Sequence, residues 1–116
     1  MSLSLSAGAT ARIPPANPFI ASGVYDNSEY PTPDTVYTVP IGQTLYIEGM
    51  SFTGAGGGAT AYVKIDATQV FLITLLDDQT AAFAGAPIIA IQAGESLKTV
   101  AAAAQSYYWN FWGYIL

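Results

Sequence analysis

The sequence predicts an all-β domain of the sandwich class, and three observations carry that prediction. From Thr35 onward, short segments rich in Val, Ile, Thr, Tyr and Phe are divided by glycine or polar turns every eight to twelve residues, the spacing of a β-sandwich or barrel. Helical periodicity is scarce. Only Gln79 to Ala86 and Thr99 to Gln105, with its Ala101 to Ala104 run, offer helix formers, so at most one short helix is expected. The length of 116 residues with no cysteine suits one domain with a single core and no disulfide scaffold.

Taken in order, the chain opens with Met1-Ser2-Leu3-Ser4-Leu5-Ser6. Its alternation allows an additional strand at Ser2 to Ser6, and it lacks the basic n-region and continuous apolar stretch of a signal peptide. Five of the seven prolines fall between Pro14 and Pro33, among Asn17, Ser22, Gly23, Asp26, Asn27 and Ser28. Proline removes a backbone donor and biases its predecessor towards extended geometry, so residues 7 to 34 read as irregular or polyproline-like. The expected division is therefore an N-terminal arm, residues 1–34, and a sandwich domain, residues 35–116. Phe19, Ile20, Val24, Tyr25 and Tyr30 make the arm apolar enough to lie on a surface, either of its own domain or of a neighbouring subunit.

Strands are expected near Thr35 to Val39, Thr44 to Thr53, Thr60 to Asp66, Gln69 to Leu76, Pro87 to Ile91, Ser96 to Ala102 and Ser106 to Ile115. Seven or eight antiparallel strands fit a jelly roll. Two turns echo each other, Val39-Pro40-Ile41-Gly42-Gln43-Thr44-Leu45 and Ile91-Gln92-Ala93-Gly94-Glu95-Ser96-Leu97, with Gly42 and Gly94 where a tight turn needs a positive φ. Gly54-Ala55-Gly56-Gly57-Gly58 reads as a hairpin tip. It fails as a phosphate loop because neither Lys-Ser nor Lys-Thr follows it.

Composition removes most familiar chemistries. There is no histidine and no cysteine, and three basic residues face eight acidic ones for a net charge of −5. Nucleophile–histidine catalysis and thiolate or imidazole zinc sites are thereby excluded. Arg12, Lys64 and Lys98 are too few to neutralise a run of phosphates, so no nucleic-acid partner is expected. The uncharged run Thr99 to Leu116 approaches bilayer length but is interrupted by Gln105, Ser106, Asn110 and three tyrosines, and no membrane span is expected. Asp77 and Asp78 would point to opposite sides of an extended chain, which does not suit the facing carboxyl pair of a glycosidase. Asp26-Asn27-Ser28-Glu29 and Asp77-Asp78 carry hard oxygen ligands of the kind calcium takes, but these are also ordinary turn residues and lack EF-hand spacing. No catalytic residue, metal site or cofactor is expected.

The clearest functional signal is the end of the chain, Ser106-Tyr107-Tyr108-Trp109-Asn110-Phe111-Trp112-Gly113-Tyr114-Ile115-Leu116. In a strand, Tyr107, Trp109, Phe111 and Ile115 share one face, and Tyr108, Trp112, Tyr114 and Leu116 share the other. A single core covers only one of them. Trp109 is the expected core tryptophan and Trp112 the interfacial one. Phe19, Tyr25, Tyr30, Tyr108, Trp112 and Tyr114 are the expected interface residues, with a sugar-stacking platform as the alternative use of the rings. A chain 52% hydrophobic and 9% charged is apolar for a monomer, which favours assembly.

The run Tyr37 to Ile47 with its Val39-Pro40-Ile41-Gly42 turn, Gly56 to Gly58, Ala61-Tyr62-Val63-Lys64-Ile65-Asp66, Pro87-Ile88-Ile89, Ala93-Gly94-Glu95-Ser96-Leu97 and the terminal Gly113-Tyr114 together resemble the small β-sandwich virion proteins of tailed bacteriophages. The resemblance covers about residues 35 to 116. It implies a non-enzymatic virion component, commonly trimeric, with the head decoration (cement) type suited by an extended arm. The expected partners are further copies of the chain and the major capsid protein of a phage head, and the expected location is the capsid surface. A tail fibre or baseplate receptor-binding module and a carbohydrate-binding β-sandwich are the alternatives.

Overall fold

The computed structural model describes residues 17–77 and 79–116. Eight strands follow one another: β1 (Asn17–Tyr25), β2 (Asp34–Thr38), β3 (Leu45–Gly54), β4 (Ala59–Ile65), β5 (Thr68–Leu75), β6 (Thr80–Ile91), β7 (Ser96–Ala101) and β8 (Tyr107–Ile115). They form two four-stranded antiparallel sheets in the orders β1-β8-β3-β6 and β2-β7-β4-β5. Consecutive strands switch sheets, except for the β4–β5 hairpin, and this double Greek-key order is the jelly-roll sandwich that the strand count suggested.

The core follows from alternation. On the first sheet Phe19, Tyr25, Leu45, Ile47, Met50, Phe52, Ile91, Tyr107, Trp109 and Phe111 point inward and are buried. The second sheet answers with Ala59, Ala61, Val63, Ile73, Leu75, Leu97 and Ala101. Aromatic rings dominate one end. Tyr25 stacks on Tyr107 with centroids 5.4 Å apart, and Phe52 meets Phe111 edge-on at 5.7 Å, arrangements that ring quadrupoles favour.

Two expectations change. The irregular stretch assigned to residues 7–34 contains β1, which pairs with β8 over nine consecutive positions from Asn17↔Ile115 to Tyr25↔Tyr107. Pro18 is tolerated because β1 is an edge strand and Pro18 sits at its start. The sandwich therefore begins by Asn17, and the part of the expected arm that precedes it, together with the strand expected at Ser2 to Ser6, lies outside the described residues. Pro31 and Pro33 fall instead in the β1–β2 connection, behind a 3-10 turn at Asn27–Glu29. Second, Gln79 to Ala86 is mostly strand: β6 runs for twelve residues from Thr80, so alanine-rich composition yielded to pairing with β3. Thr99 to Gln105 is the end of β7, at the strand expected there, and a bend, and no α-helix occurs among the described residues, within the expected limit of one. The uncharged run to Leu116 is strand, bend and strand, and no helix among the described residues is long and apolar enough to cross a membrane.

The two echoing turns meet in space. Gly94 donates its N–H to the Val39 carbonyl at 2.8 Å, and Val39 donates to the Glu95 carbonyl at 2.9 Å. Gly42 and Gly94 take φ of 84° and 85°, the left-handed geometry that the sequence led us to expect.

Candidate functional site

β8 lies between β1 and β3, and its register builds the outward face of the first sheet. Four rows cross all four strands: Val24, Tyr108, Thr53 and Thr80; Ser22, Asn110, Ser51 and Ala82; Ile20, Trp112, Gly49 and Ala84; Pro18, Tyr114, Tyr46 and Ala90. No Asp, Glu, Lys or Arg occurs in these rows. The acid nearest in sequence is Glu48, the extra residue of a bulge between Ile47 and Gly49. Both described lysines sit on the other sheet, where Lys64 of β4 faces Lys98 of β7 across the ladder.

This face is aromatic in its outer rows and polar in between. Tyr108 is 52% exposed and Trp112 38% exposed, beside Ile20 at 82%. Trp112 lies against the sheet because residue 49 is glycine: a Cβ there would fall 2.1 Å from two carbons of the indole. One face of the ring thus rests on the β3 backbone while the residue keeps over a third of its surface in solvent. Tyr46 and Tyr114 stack at 5.0 Å in the next row. Between the Tyr108 and Trp112 rows, Asn110 donates from Nδ2 to Ser51 Oγ at 3.2 Å, and within the Tyr108 row Thr53 and Thr80 share a hydroxyl hydrogen bond of 2.9 Å. Ser22, Gly23, Val24, Tyr108, Trp109 and Asn110 line an open groove of about 410 Å³ on the β1–β8 side.

Of the six expected interface residues, Tyr108, Trp112 and Tyr114 share this face, and Tyr30 is exposed but lies apart in the β1–β2 connection. Phe19 and Tyr25 are corrected: both are buried in the core of the chain itself, because β1 is an inward-outward alternating strand rather than an arm. Phe19 packs edge-on against Tyr37 at 5.1 Å. Trp109 is 7% exposed and fills the core as expected, its indole passing beneath Gly23, where a Cβ would sit 2.5 Å from Cζ2. Asn110 and Gln105 are the amides nearest to the rings in sequence. Gln105 is engaged elsewhere, its Oε1 accepting the Thr60 N–H at 3.0 Å, whereas Ser22 and Ser51 arrive from strands distant in sequence. Glycine inside the Ile47 to Phe52 strand pattern was the one available clue to a close approach.

A second cluster sits at the β1–β2 end. Asp34 Oδ2 accepts the Trp109 Nε1–H at 3.1 Å. Burial, and then a hydrogen bond with the Glu29 carboxyl, push the Asp34 pKa from 3.8 up to about 6. Glu29 also accepts the Asp26 N–H at 2.8 Å, and Asp26 accepts from Ser28 at 3.1 Å, so the acids of this turn hold the turn together. Beneath them, Tyr107 donates to Thr99 Oγ1, which donates to the Tyr62 carbonyl at 3.0 Å. Burial pushes the Tyr25 phenol up to about 12, with the Glu29 and Asp34 charges adding to it, and raises that of Tyr107 as well. Both phenols therefore stay neutral donors at physiological pH. Asp78 lies outside the described residues, and no group of three or more acidic side chains suited to a metal occurs among the described ones.

A third feature is aliphatic. β5 and β6, consecutive in the chain and joined by a turn at Leu76–Gln79, are edge strands, one from each sheet. Val70 and Leu72 of β5, Leu76 just after it and Phe83 of β6 are exposed, at 37%, 55%, 68% and 44%. Residues 67–76 and 79–94 include no charged side chain.

No protein-family model matches the chain, and no curated protein matches it.

Proposed function

We propose that the protein is a non-enzymatic structural subunit that assembles with copies of itself, as a homotrimer, and decorates the outside of a phage capsid. The observation that carries the assembly is the β5–β6 side. An edge strand presents unpaired backbone N–H and C=O groups, and proteins that remain monomeric guard such edges with charge, brevity or cover. Here β6 is twelve residues long and uncharged, and its Phe83 is exposed, as are Val70 and Leu72 on the neighbouring edge strand β5. Pro87 and the irregular segment between Ala84 and Ile89 interrupt the ladder once, leaving Thr80 to Ala84 as a regular open edge. Exposed apolar side chains beside a backbone edge that a second strand can pair suit a protein interface whose centre is apolar. The trimer and the capsid partner rest on the resemblance to phage virion proteins.

Light scattering on the purified protein tests the assembly, with a trimer expected at micromolar concentration. Phe83→Lys and Leu72→Lys should each yield monomers with an unchanged β-type circular dichroism spectrum. A wild-type monomer would remove the proposal. Binding to phage heads stripped of their decoration protein tests the partner, and failure of the trimer to bind them would leave an assembling sandwich without the capsid role.

A further inference from the structure

We infer that the outward face of β1-β8-β3 binds a neutral oligosaccharide, stacked on Trp112 and Tyr108. This reading is independent of assembly through the β5–β6 side. Its basis is the order of the rows. A ring row, a hydroxyl and amide row, and a second ring row follow one another along the sheet, as Tyr108, then Ser22, Asn110 and Ser51, then Trp112. Tyr108 and Trp112 are four strand positions apart, about 13 Å at the rise of a β-strand, a span that an oligosaccharide bridges and a single sugar does not.

The chemistry of the face selects the ligand. A pyranose offers apolar C–H faces to aromatic rings and hydroxyl groups to amides and hydroxyls. Asn110 spends one N–H on Ser51, which fixes the amide plane and leaves its other N–H and its Oδ1 to serve a ligand. The groove of about 410 Å³ lined by Ser22, Gly23, Val24, Tyr108, Trp109 and Asn110 includes the Tyr108 ring in its wall. The four rows hold no Lys or Arg to pair with an anionic sugar, and Glu48 adjoins them in the β3 bulge, so the ligand is neutral. A second protein copy fits less well, because a dry interface would desolvate the Ser22-Asn110-Ser51 row. Trp112 is held ready by Gly49: the ring rests on backbone and needs no rearrangement to be stacked upon.

The test is a glycan array probed with the full chain, followed by fluorescence and calorimetric titration with cellohexaose, maltohexaose and chitohexaose. Binding to at least one neutral glycan is expected, with Trp112→Ala and Tyr108→Ala each weakening it by about tenfold or more through loss of one stacked ring. Asn110→Ala should weaken it while leaving the melting temperature nearly unchanged, and Leu72→Lys should leave it intact. No binding to any neutral glycan overturns the inference. So does binding that survives Trp112→Ala, and so does an oligomer that Trp112→Ala converts to monomers, which would make this face the interface between copies. Oligomerisation lost in Phe83→Lys and Leu72→Lys but not in Trp112→Ala, with glycan binding retained per chain, separates failure of one reading from failure of the other.

Discussion

Replacing each tryptophan of β8 by alanine sets the core face of that strand against its open face. Trp109 is 7% exposed, so alanine there removes nearly the whole indole from the core, a loss of about 3–5 kcal/mol. The upper part of that range applies. Gly23, directly above the ring, has no side chain that could settle into the void. The Nε1–H bond to Asp34 disappears too, adding about 1 kcal/mol since the carboxylate remains reachable by water. Against a domain stability of about 5–15 kcal/mol, the variant is folded marginally or not at all. With a urea slope of about 1.5 kcal/mol/M the midpoint falls by roughly 3.5 M. Trp112, 38% exposed with one face on Gly49, gives up much less, about 1–2 kcal/mol or roughly 1 M of urea. Circular dichroism during urea unfolding of both variants, at one low protein concentration to hold assembly constant, reads the two shifts. Trp109→Phe should fall between them, since it keeps a ring and loses the hydrogen bond. Equal midpoints for the two alanine variants would refute the assignment of core and open faces, and with it the register of β8.

Asp34 carries a pH dependence of definite sign. The folded chain holds its proton up to about pH 6 whereas the free carboxyl releases it near 3.8, so in that window the folded state binds more protons and stability falls as pH rises. Discounted for solvent screening, the effect is about 1 kcal/mol; Asp34→Asn should remove that slope and raise the melting temperature at pH 7, and an unchanged slope between pH 4 and 6 would contradict it. Gly49→Ala should displace the Trp112 indole, read as a red-shifted or quenched tryptophan emission, with a wild-type spectrum as the contrary result. Truncation to Asp34 should abolish folding, because it removes β1 and leaves Tyr107, Trp109 and Phe111 without Phe19 and Tyr25 beside them; a folded, cooperative truncated chain would show that β1 is dispensable.

Much of the fold was legible in the residues themselves. Alternation with period two placed Trp109 and Phe111 inside and Tyr108 and Trp112 outside, since side-chain direction along a strand is a local property of the backbone. The turns at Gly42 and Gly94 were equally local, as a positive φ is a demand made of one residue. Strands β2 to β5, β7 and β8 fell within one or two residues of expectation for the same reason. Pairing, by contrast, belongs to the tertiary structure. β1 was hidden by Pro18, Gly23 and its polar residues, and became a strand because β8 offers an open edge along nine positions. The alanines of β6 have no strong preference for strand, and only β3 beside them makes them one. Nor could the sequence bring Ser22 and Ser51 to either side of Asn110, or set Gly49 beneath Trp112, because these neighbours are separated by dozens of residues and joined only through the β1-β8-β3 ladder. Which side chains alternate is decided within a strand; which of them share a row, and so what the open face can hold, is decided by the register between strands.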